Sequence, residues 1–236
     1  MPDLFIARQP IYNRTQHVYG YELFYRAGYD QLGEDEDPDV ATSQVIVNAL
    51  GEIGFDHLVG KRLAFIKLSR NFVIGNYPVT LPAARSVIEI GETKRVDDEF
   101  VAGVSWLADQ GYTVALDAFE FNASSARLLE LASIVKVDMV ALSEQQLRDH
   151  VVALKKHPHL KLLAQNIEIP EEYELCLELG FDYFQGHFFS RPKMVRRTRM
   201  PANQLALMQM LAELQDPNAK IAKLEAMVSN DVGLSY

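Results

Sequence analysis

The sequence contains a single cysteine, Cys176, among its 236 residues. An intramolecular disulfide is therefore impossible, and this cysteine usage favours a reducing compartment, which we expect to be the cytoplasm. Because Cys176 lies in a helical pattern, we interpret it as a small buried apolar residue.

Long apolar runs are also absent. No stretch approaches the roughly 18 continuous apolar residues that a membrane span requires. The N-terminal segment has an acid at Asp3 and lacks the apolar core of a signal peptide. We therefore expect no membrane association.

Basic residues are few, since 23 Lys and Arg stand against 32 Asp and Glu, and the formal net charge is -9. This balance disfavours a broad electrostatic contact with nucleic acid, so we expect no nucleic-acid polymer as a partner. The sequence also lacks a glycine-rich phosphate loop and a Gly-x-Ser-x-Gly nucleophile motif, which argues against the enzyme classes built on them.

The sequence does contain short β-rich runs that alternate with amphipathic helical stretches, a pattern typical of a parallel sheet covered by helices. Eight such runs predict an α/β fold, a TIM-like (β/α)8 barrel. The predicted strands are Leu4–Ala7, Tyr19–Phe24, Leu63–Leu68, Ser86–Ile90, Thr113–Leu116, Ile134–Val137, Lys161–Ala164 and Tyr183–Phe184. The predicted helices are Asp39–Gly54, Val96–Gly111, Ser124–Ala132, Ser143–His157 and Pro170–Gly180. Trp106 falls on the apolar stripe of its helix, so we predict that it packs against the sheet.

The pattern changes after Pro192. Residues 196–199 form a short basic link, and two amphipathic helical patterns follow it. We therefore divide the chain into a barrel over residues 1–195 and a linker with helices over residues 196–236. Two such helices cannot enclose a core alone, so they must dock on the barrel, bind a partner or belong to a domain that continues beyond Tyr236, which we expect.

Polar residues recur near the ends of successive predicted strands. In a barrel of parallel strands the C-terminal strand ends converge on one face, where the active sites of this architecture lie. Each residue taken singly could equally line the barrel in a salt bridge, but their joint occurrence is more specific. These residues are Glu22, Lys67, Glu89, Asp117, Lys136, Gln165 and Gln185.

Several segments together resemble an EAL domain, the family of cyclic di-GMP phosphodiesterases, in the branch where that domain precedes an HDOD domain. The resemblance covers residues 1 to about 195 in the family's order, and the tail resembles the first helices of an HDOD domain. The segments are Phe5-Ile-Ala-Arg-Gln-Pro-Ile-Tyr12, Gly20-Tyr-Glu-Leu-Phe-Tyr-Arg26, Phe65-Ile-Lys-Leu-Ser69, Ile88-Glu-Ile-Gly-Glu92, Leu116-Asp-Ala-Phe119, Lys136-Val-Asp138, Leu163-Ala-Gln-Asn-Ile-Glu168 and Phe181-Asp-Tyr-Phe-Gln-Gly-His-Phe-Phe-Ser-Arg-Pro192.

The resemblance implies roles for the retained residues. An EAL enzyme uses two divalent cations to hold the scissile phosphate and to activate the attacking water. By resemblance the metal ligands are Glu22, Glu89 and Asp117, the lysine that contacts the nucleophilic water is Lys136, and the ligand-binding positions are Gln9, Arg26 and Gln185.

Three positions depart from the family's pattern. Lys67 stands where the family has a metal-ligating asparagine, and an ammonium group has no lone pair for a cation. Ala118 replaces the second aspartate of the family's Asp-Asp-Phe, which removes an oxygen ligand. Gln165 replaces a glutamate, so a neutral amide stands in place of a carboxylate. We hypothesise that Lys67 sits among the three remaining acids as their counterion.

These departures predict a catalytically degenerate EAL domain that acts through protein contacts in bacterial cyclic di-GMP-related signalling. We expect no cofactor, weak or absent cyclic di-GMP binding, an unidentified protein partner and a homodimer. Two alternatives stay open. One is a receptor that binds the nucleotide without cutting it, and the other is an active phosphodiesterase with Mg²⁺ or Mn²⁺ in an altered site.

Overall fold

The computed structural model describes residues 3–26, 37–91, 96–117, 126–189 and 193–198. Ala118 and the predicted helices of the tail lie outside the described residues, and so does the side chain of Arg26.

Nine strands are described. Strands 3 to 5 and 8 have the predicted bounds, and strands 1, 2, 6 and 7 are longer than predicted. The strands are β1 Asp3–Asn13, β2 Val18–Arg26, β3 Leu63–Leu68, β4 Ser86–Ile90, β5 Thr113–Leu116, β6 Ile134–Asp138, β7 Lys161–Gln165, β8 Tyr183–Phe184 and β9 Lys193–Thr198.

Helices follow most of the strands. The five predicted helices are all present, with ends that differ by a few residues, and short helices add to them. The α-helices are α1 Pro38–Val47, α2 Phe55–Val59, α3 Arg70–Val73, α4 Asp98–Asp109, α5 Ala126–Leu129, α6 Glu144–Leu154 and α7 Pro170–Leu179, with a π-helical turn at Asn48–Glu52 and a 3-10 turn at Ala83–Arg85. Within the described ranges, these helices are too short or too polar to cross a lipid bilayer.

The predicted barrel is confirmed. The strands pair in the order β2-β3-β4-β5-β6-β7-β8-β1, and β1 pairs with β2 to close the ring. The strands β2 to β8 are parallel.

One prediction about the barrel was wrong, because β1 runs antiparallel to both β2 and β8. A short turn after Asn13 causes this, since a connection of a few residues can join only antiparallel strands. The Asn13 side-chain oxygen accepts hydrogen bonds from the backbone N–H groups of Thr15 and His17. Gln16 takes a positive φ of 56° in this turn.

The strand β9 was also missed, since the sequence suggested a basic link at residues 196–199. β8 contains two residues and, on its β1 side, pairs with Tyr12 and Asn13 alone, so it leaves the same edge of β1 unpaired over residues 3–8. β9 pairs with that open stretch, with Thr198 opposite Asp3.

The packing of α4 corrects the prediction for Trp106. The buried stripe of this helix consists of Phe100, Val104 and Leu107, which follow the spacing expected for a core-facing helix. Trp106 is rotated away from that stripe and is 51% exposed. Its ring lines a surface cavity of about 330 Å³ beside Tyr77 instead of packing against the sheet.

At Gly103, α4 lies directly against the backbone at the end of α3. A Cβ at this position would overlap the Val73 carbonyl oxygen and lie 2.8 Å from the Val73 carbonyl carbon. We expect Gly103→Ala to lower the free energy of unfolding by about 1–3 kcal/mol through overpacking. Gly51→Ala is the control, because no atom lies within 4 Å of its Cβ position and alanine favours helix. Equal urea midpoints for the two variants would contradict the prediction.

Candidate functional site

The barrel interior contains a layer of apolar side chains that supports the site. Strands alternate their side chains between two faces, so the residue two positions further along faces the same interior. The polar residues of the site form the next layer towards the C-terminal strand ends. The apolar layer is Ile11, Phe65, Val87, Ala115, Ile134 and Leu163, and the positions two residues on are Lys67, Glu89, Asp117, Lys136 and Gln165, with Gln9 facing them from the antiparallel β1.

Lys136 lies at the centre of this polar layer. Its Nζ atom is 3.0 Å from Glu22 Oε1, 2.8 Å from Glu89 Oε1 and 3.7 Å from Asp117 Oδ1. The Lys136 side chain is 1% exposed and the Glu89 side chain is fully buried. The lysine that the resemblance assigns to the water therefore binds all three acids here.

The hypothesis for Lys67 needs correction. Lys67 Nζ lies 3.0 Å from Asp117 Oδ2, but the Lys67 side chain is 59% exposed. Lys67 therefore neutralises one acid from the outer side of the site, and Lys136 is the shared counterion. Lys136 is the shared counterion because its side chain lies inside the barrel, where it reaches Glu22 and Glu89 on other strands.

Gly91 allows Lys67 to reach Asp117. Gly91 directly follows β4, and a Cβ on this residue would overlap Lys67 Cε and lie 2.8 Å from Lys67 Nζ. The lysine side chain thus crosses the end of β4 where no side chain blocks it. Sequence reasoning missed this residue, although a glycine directly after a buried strand signals a close approach.

Gln185 and Gln9 extend the network around Glu22. Gln185 Nε2 donates to Glu22 Oε2 at 2.6 Å and to Gln9 Oε1 at 3.3 Å. Gln185 is only 3% exposed. In this arrangement the amide of Gln185 orients a carboxylate, whereas the resemblance assigns it to the nucleotide.

The charges in this layer shift the pKa values of its members. Burial raises the pKa of Glu89 well above its ordinary value, the charge of Glu22 adds to this effect, and Lys136 opposes it. Burial also raises the pKa of Asp117, but Lys136, Lys67 and a hydrogen bond from Gln165 outweigh it, so the pKa is lowered. Burial would lower the pKa of Lys136, but the three carboxylates raise it above its ordinary value. The raised pKa keeps Lys136 protonated at neutral pH.

The residues present do not fit a divalent metal centre. Five of the six carboxylate oxygens of Glu22, Glu89 and Asp117 face an ammonium or amide group. The sixth, Glu89 Oε2, is buried without a hydrogen-bond partner among the described residues, yet a single oxygen falls far short of the six ligands of Mg²⁺. Within the described part of the chain, no group of three or more acidic, histidine or cysteine residues has the geometry of a metal site.

A cavity of about 400 Å³ opens beside Lys67. Its polar lining includes Lys67, Ser69 and Arg70. Arg70 forms ion pairs with Asp97 and Glu99. The apolar lining consists of Leu23, Phe24, Pro38, Ala41, Val45, Leu68 and Phe100.

Comparisons with known proteins agree with the resemblance. The family model of the EAL domain matches residues 79–192. The chain is 32% identical over 238 residues to a protein of Vibrio cholerae called cyclic di-GMP phosphodiesterase CdgJ, and the match covers 100% of this chain and 55% of CdgJ. It is 29% identical to the uncharacterized protein YuxH of Bacillus subtilis, with 99% of this chain and 58% of YuxH covered. The chain thus spans a little over half the length of these relatives.

Solved structures share the fold. The Bacillus subtilis YkuI protein, described as having an EAL domain in complex with substrate c-di-GMP and calcium, superposes with a TM-score of 0.65. The match covers 95% of this chain and 61% of YkuI at 19% identity. At this identity the match supports the fold alone, a barrel of EAL type.

Proposed function

We propose that this chain, whose residues 79–192 match the EAL domain, is a catalytically degenerate member of that family that takes part in cyclic di-GMP signalling without hydrolysing the nucleotide. One observation carries the proposal. The ammonium group of Lys67, which stands where the resemblance implies a metal-ligating asparagine, binds Asp117, while the retained Lys136 binds Glu22 and Glu89. Two-metal hydrolysis needs both cations for charge neutralisation and for an activated water, and these carboxylates already have cationic partners.

The contacts of these carboxylates also bear on whether the site holds a metal ion. The proposal includes no resident metal, because oxygens with ammonium or amide partners are poor ligands for a second cation. Gln165 supports this view, since an amide that donates to Asp117 supplies neither the charge nor the proton acceptor of a glutamate.

A second candidate is a receptor that binds cyclic di-GMP without cutting it, which the cavity beside Lys67 favours. The remaining proposals rest on the sequence alone. They are an unidentified protein partner, a homodimer, a cytoplasmic location and a division of the chain into a barrel domain over residues 1–195 and an HDOD-like start over residues 196–236.

Turnover is the test of this proposal. We expect the purified chain to release no linear dinucleotide from cyclic di-GMP in Mg²⁺ or Mn²⁺, as measured by chromatography of the products. Glu22→Ala is the matched control, because any residual product caused by a contaminating enzyme would be the same in both samples. Product that forms steadily with the original chain and disappears with Glu22→Ala would show an active phosphodiesterase and reject the proposal.

A further inference from the structure

We propose that residues 203–214 of this chain dock as a helix on an exposed apolar surface beside α7. Ile169 and Phe188 form this surface together with Tyr173 beneath them, and we call it the α7 patch. The inference does not depend on whether the polar site of the barrel hydrolyses cyclic di-GMP.

The α7 patch places two large apolar side chains over an aromatic cluster. Ile169 is 48% exposed and Phe188 is 38% exposed. Ile169 directly precedes α7, and Tyr173 lies one turn further along the same helix face. The Tyr173 ring lies 6.0 Å from the Phe188 ring and 5.2 Å from the Phe189 ring. Single exposed apolar residues are common, but a group of them over a buried ring indicates a contact surface.

The backbone beneath the patch is fixed. The Phe188 N–H donates to the Ile167 carbonyl oxygen at 3.0 Å. A Cβ on Gly186 would overlap the backbone of Ile167, so this glycine permits a close approach of the two segments. The Phe189 ring stacks on Tyr12 of β1, with 5.0 Å between the ring centroids. A surface that is ordered before docking costs less conformational entropy to bind.

Residues 203–214 have the composition of a buried helix. The helical pattern follows Pro201 and begins at Asn203, which is a preferred N-cap residue. Its apolar residues form two stripes on opposite sides of a helix, one with Leu207, Met210, Leu211 and Leu214 and the other with Leu205, Met208 and Ala212. A helix that is apolar on more than one side needs to be covered on more than one side. We assign the first, larger stripe to the α7 patch.

The length of the chain leads this helix back to the patch. β9 pairs antiparallel with β1 from Lys193 to Thr198. Over its six residues, at about 3.3 Å each, β9 carries the chain about 20 Å away from Lys193. Residues 203–214 span about 18 Å as a helix, at about 1.5 Å per residue. Residues 199–202 allow a reversal, so a helix that runs back along β9 ends near Lys193, which follows closely after Phe188.

The charges favour the same orientation. Glu168 and Glu171 are exposed on either side of Ile169. Lys220 and Lys223 follow the helix in the sequence, so a helix that ends near α7 brings these ammonium groups towards the two carboxylates. Opposite charges at the edge of a contact favour one orientation over the other.

Cross-linking in the whole chain tests the docking. Cys176 is buried and burial raises the pKa of its thiol to about 12, so it reacts poorly with maleimides at neutral pH. The variant Glu174→Cys with Gln215→Cys places one thiol on α7 beside Tyr173, where Glu174 is exposed, and one at the end of the helix. We expect a short bismaleimide to join the two thiols within one chain, as measured by gel mobility and peptide mass spectrometry.

Val152→Cys with Gln215→Cys is the matched control. Val152 is 64% exposed in the last turn of α6, so its thiol is accessible but lies away from the patch. We expect about tenfold less product than with Glu174→Cys, because docking raises the effective concentration of the two thiols only at α7.

Removing the patch tests whether it carries the contact. In the Glu174→Cys and Gln215→Cys chain, Ile169→Ser with Phe188→Ser should lower the yield of the intramolecular product by about tenfold or more, because burial of both side chains contributes to docking. Val140→Ser with Val152→Ser removes two apolar side chains that are 69% and 64% exposed elsewhere and should leave the yield unchanged. Thermal unfolding checks that all variants fold. An unchanged yield after loss of the patch, or product that joins two chains instead of one, would overturn the inference. Neither result bears on hydrolysis, which the turnover assay tests separately.

Discussion

Replacing Lys136 with methionine should lower the free energy of unfolding by about 3–5 kcal/mol. Removing one partner of a buried ion pair leaves the other charges without compensation in a medium that solvates them poorly. Lys136 is 1% exposed and contacts Glu22 and Glu89 at 3.0 and 2.8 Å. Methionine preserves most of the volume, so the loss reports the charge and not a cavity. Urea denaturation at neutral pH measures it.

The control for this variant is Lys161→Met, which removes an ammonium group from a partly exposed pair with Asp182. Such pairs contribute about 0–1 kcal/mol, so the expected loss is small. Equal losses in the two variants would contradict the central role of Lys136. A loss below about 1 kcal/mol at Lys136 would do the same.

The pH dependence of Lys136→Met provides a second check on the same network. In the original chain, burial raises the pKa of Glu89 above its value of about 4.3 in the unfolded chain. Folding therefore favours the protonated form of Glu89. This contribution to the free energy of unfolding is complete below a pH of about 4.3 and is lost as the pH rises through the pKa of the folded state. In the variant, Lys136 no longer lowers the pKa of Glu89, so the pKa of Glu89 rises further. The destabilisation of the variant should therefore shrink as the pH falls from about 8 to about 5.

The eight-strand barrel and its site could be predicted because both depend on local patterns. Apolar runs with strand periodicity predicted the bounds of β3, β4, β5 and β8 correctly. The polar residues at the strand ends predicted that Glu89, Lys136 and Gln165 would lie on one face of the barrel. The structure brings these residues together in one layer above the apolar interior.

Most of the errors concern features that depend on partners distant in sequence, whereas the direction of β1 follows from the short turn after Asn13. The antiparallel β1 depends on how far the strand runs past Ala7 to Asn13. β9 can pair with β1 because β8 has only two residues and leaves part of that edge of β1 unpaired. The choice of Lys136 over Lys67 as shared counterion depends on distances across the barrel. The spacing of residues along the sequence does not reveal these distances across the barrel.

The second large effect is expected from the triple variant Lys67→Asn, Ala118→Asp and Gln165→Glu. These changes remove one ammonium group and restore two carboxylates, so the formal charge of the site falls by three and a divalent cation becomes the favoured counterion. We expect saturable Mn²⁺ binding by calorimetry. We also expect this variant to release linear dinucleotide at a rate about a thousandfold above the background measured with the original chain, because a metal contributes several kcal/mol of transition-state stabilisation.

The single variant Lys67→Asn separates two contributions to the proposed lack of metal binding. It removes the ammonium group that is 3.0 Å from Asp117 but restores no carboxylate. If Lys67 alone excluded the metal, this variant would bind Mn²⁺ as well as the triple variant does. We expect weaker metal binding by the single variant, since a formal charge of about −2 attracts a divalent cation less than one of about −4. A triple variant that binds no Mn²⁺ would instead identify the contact of Lys136 with Glu22 and Glu89 as the barrier to the metal.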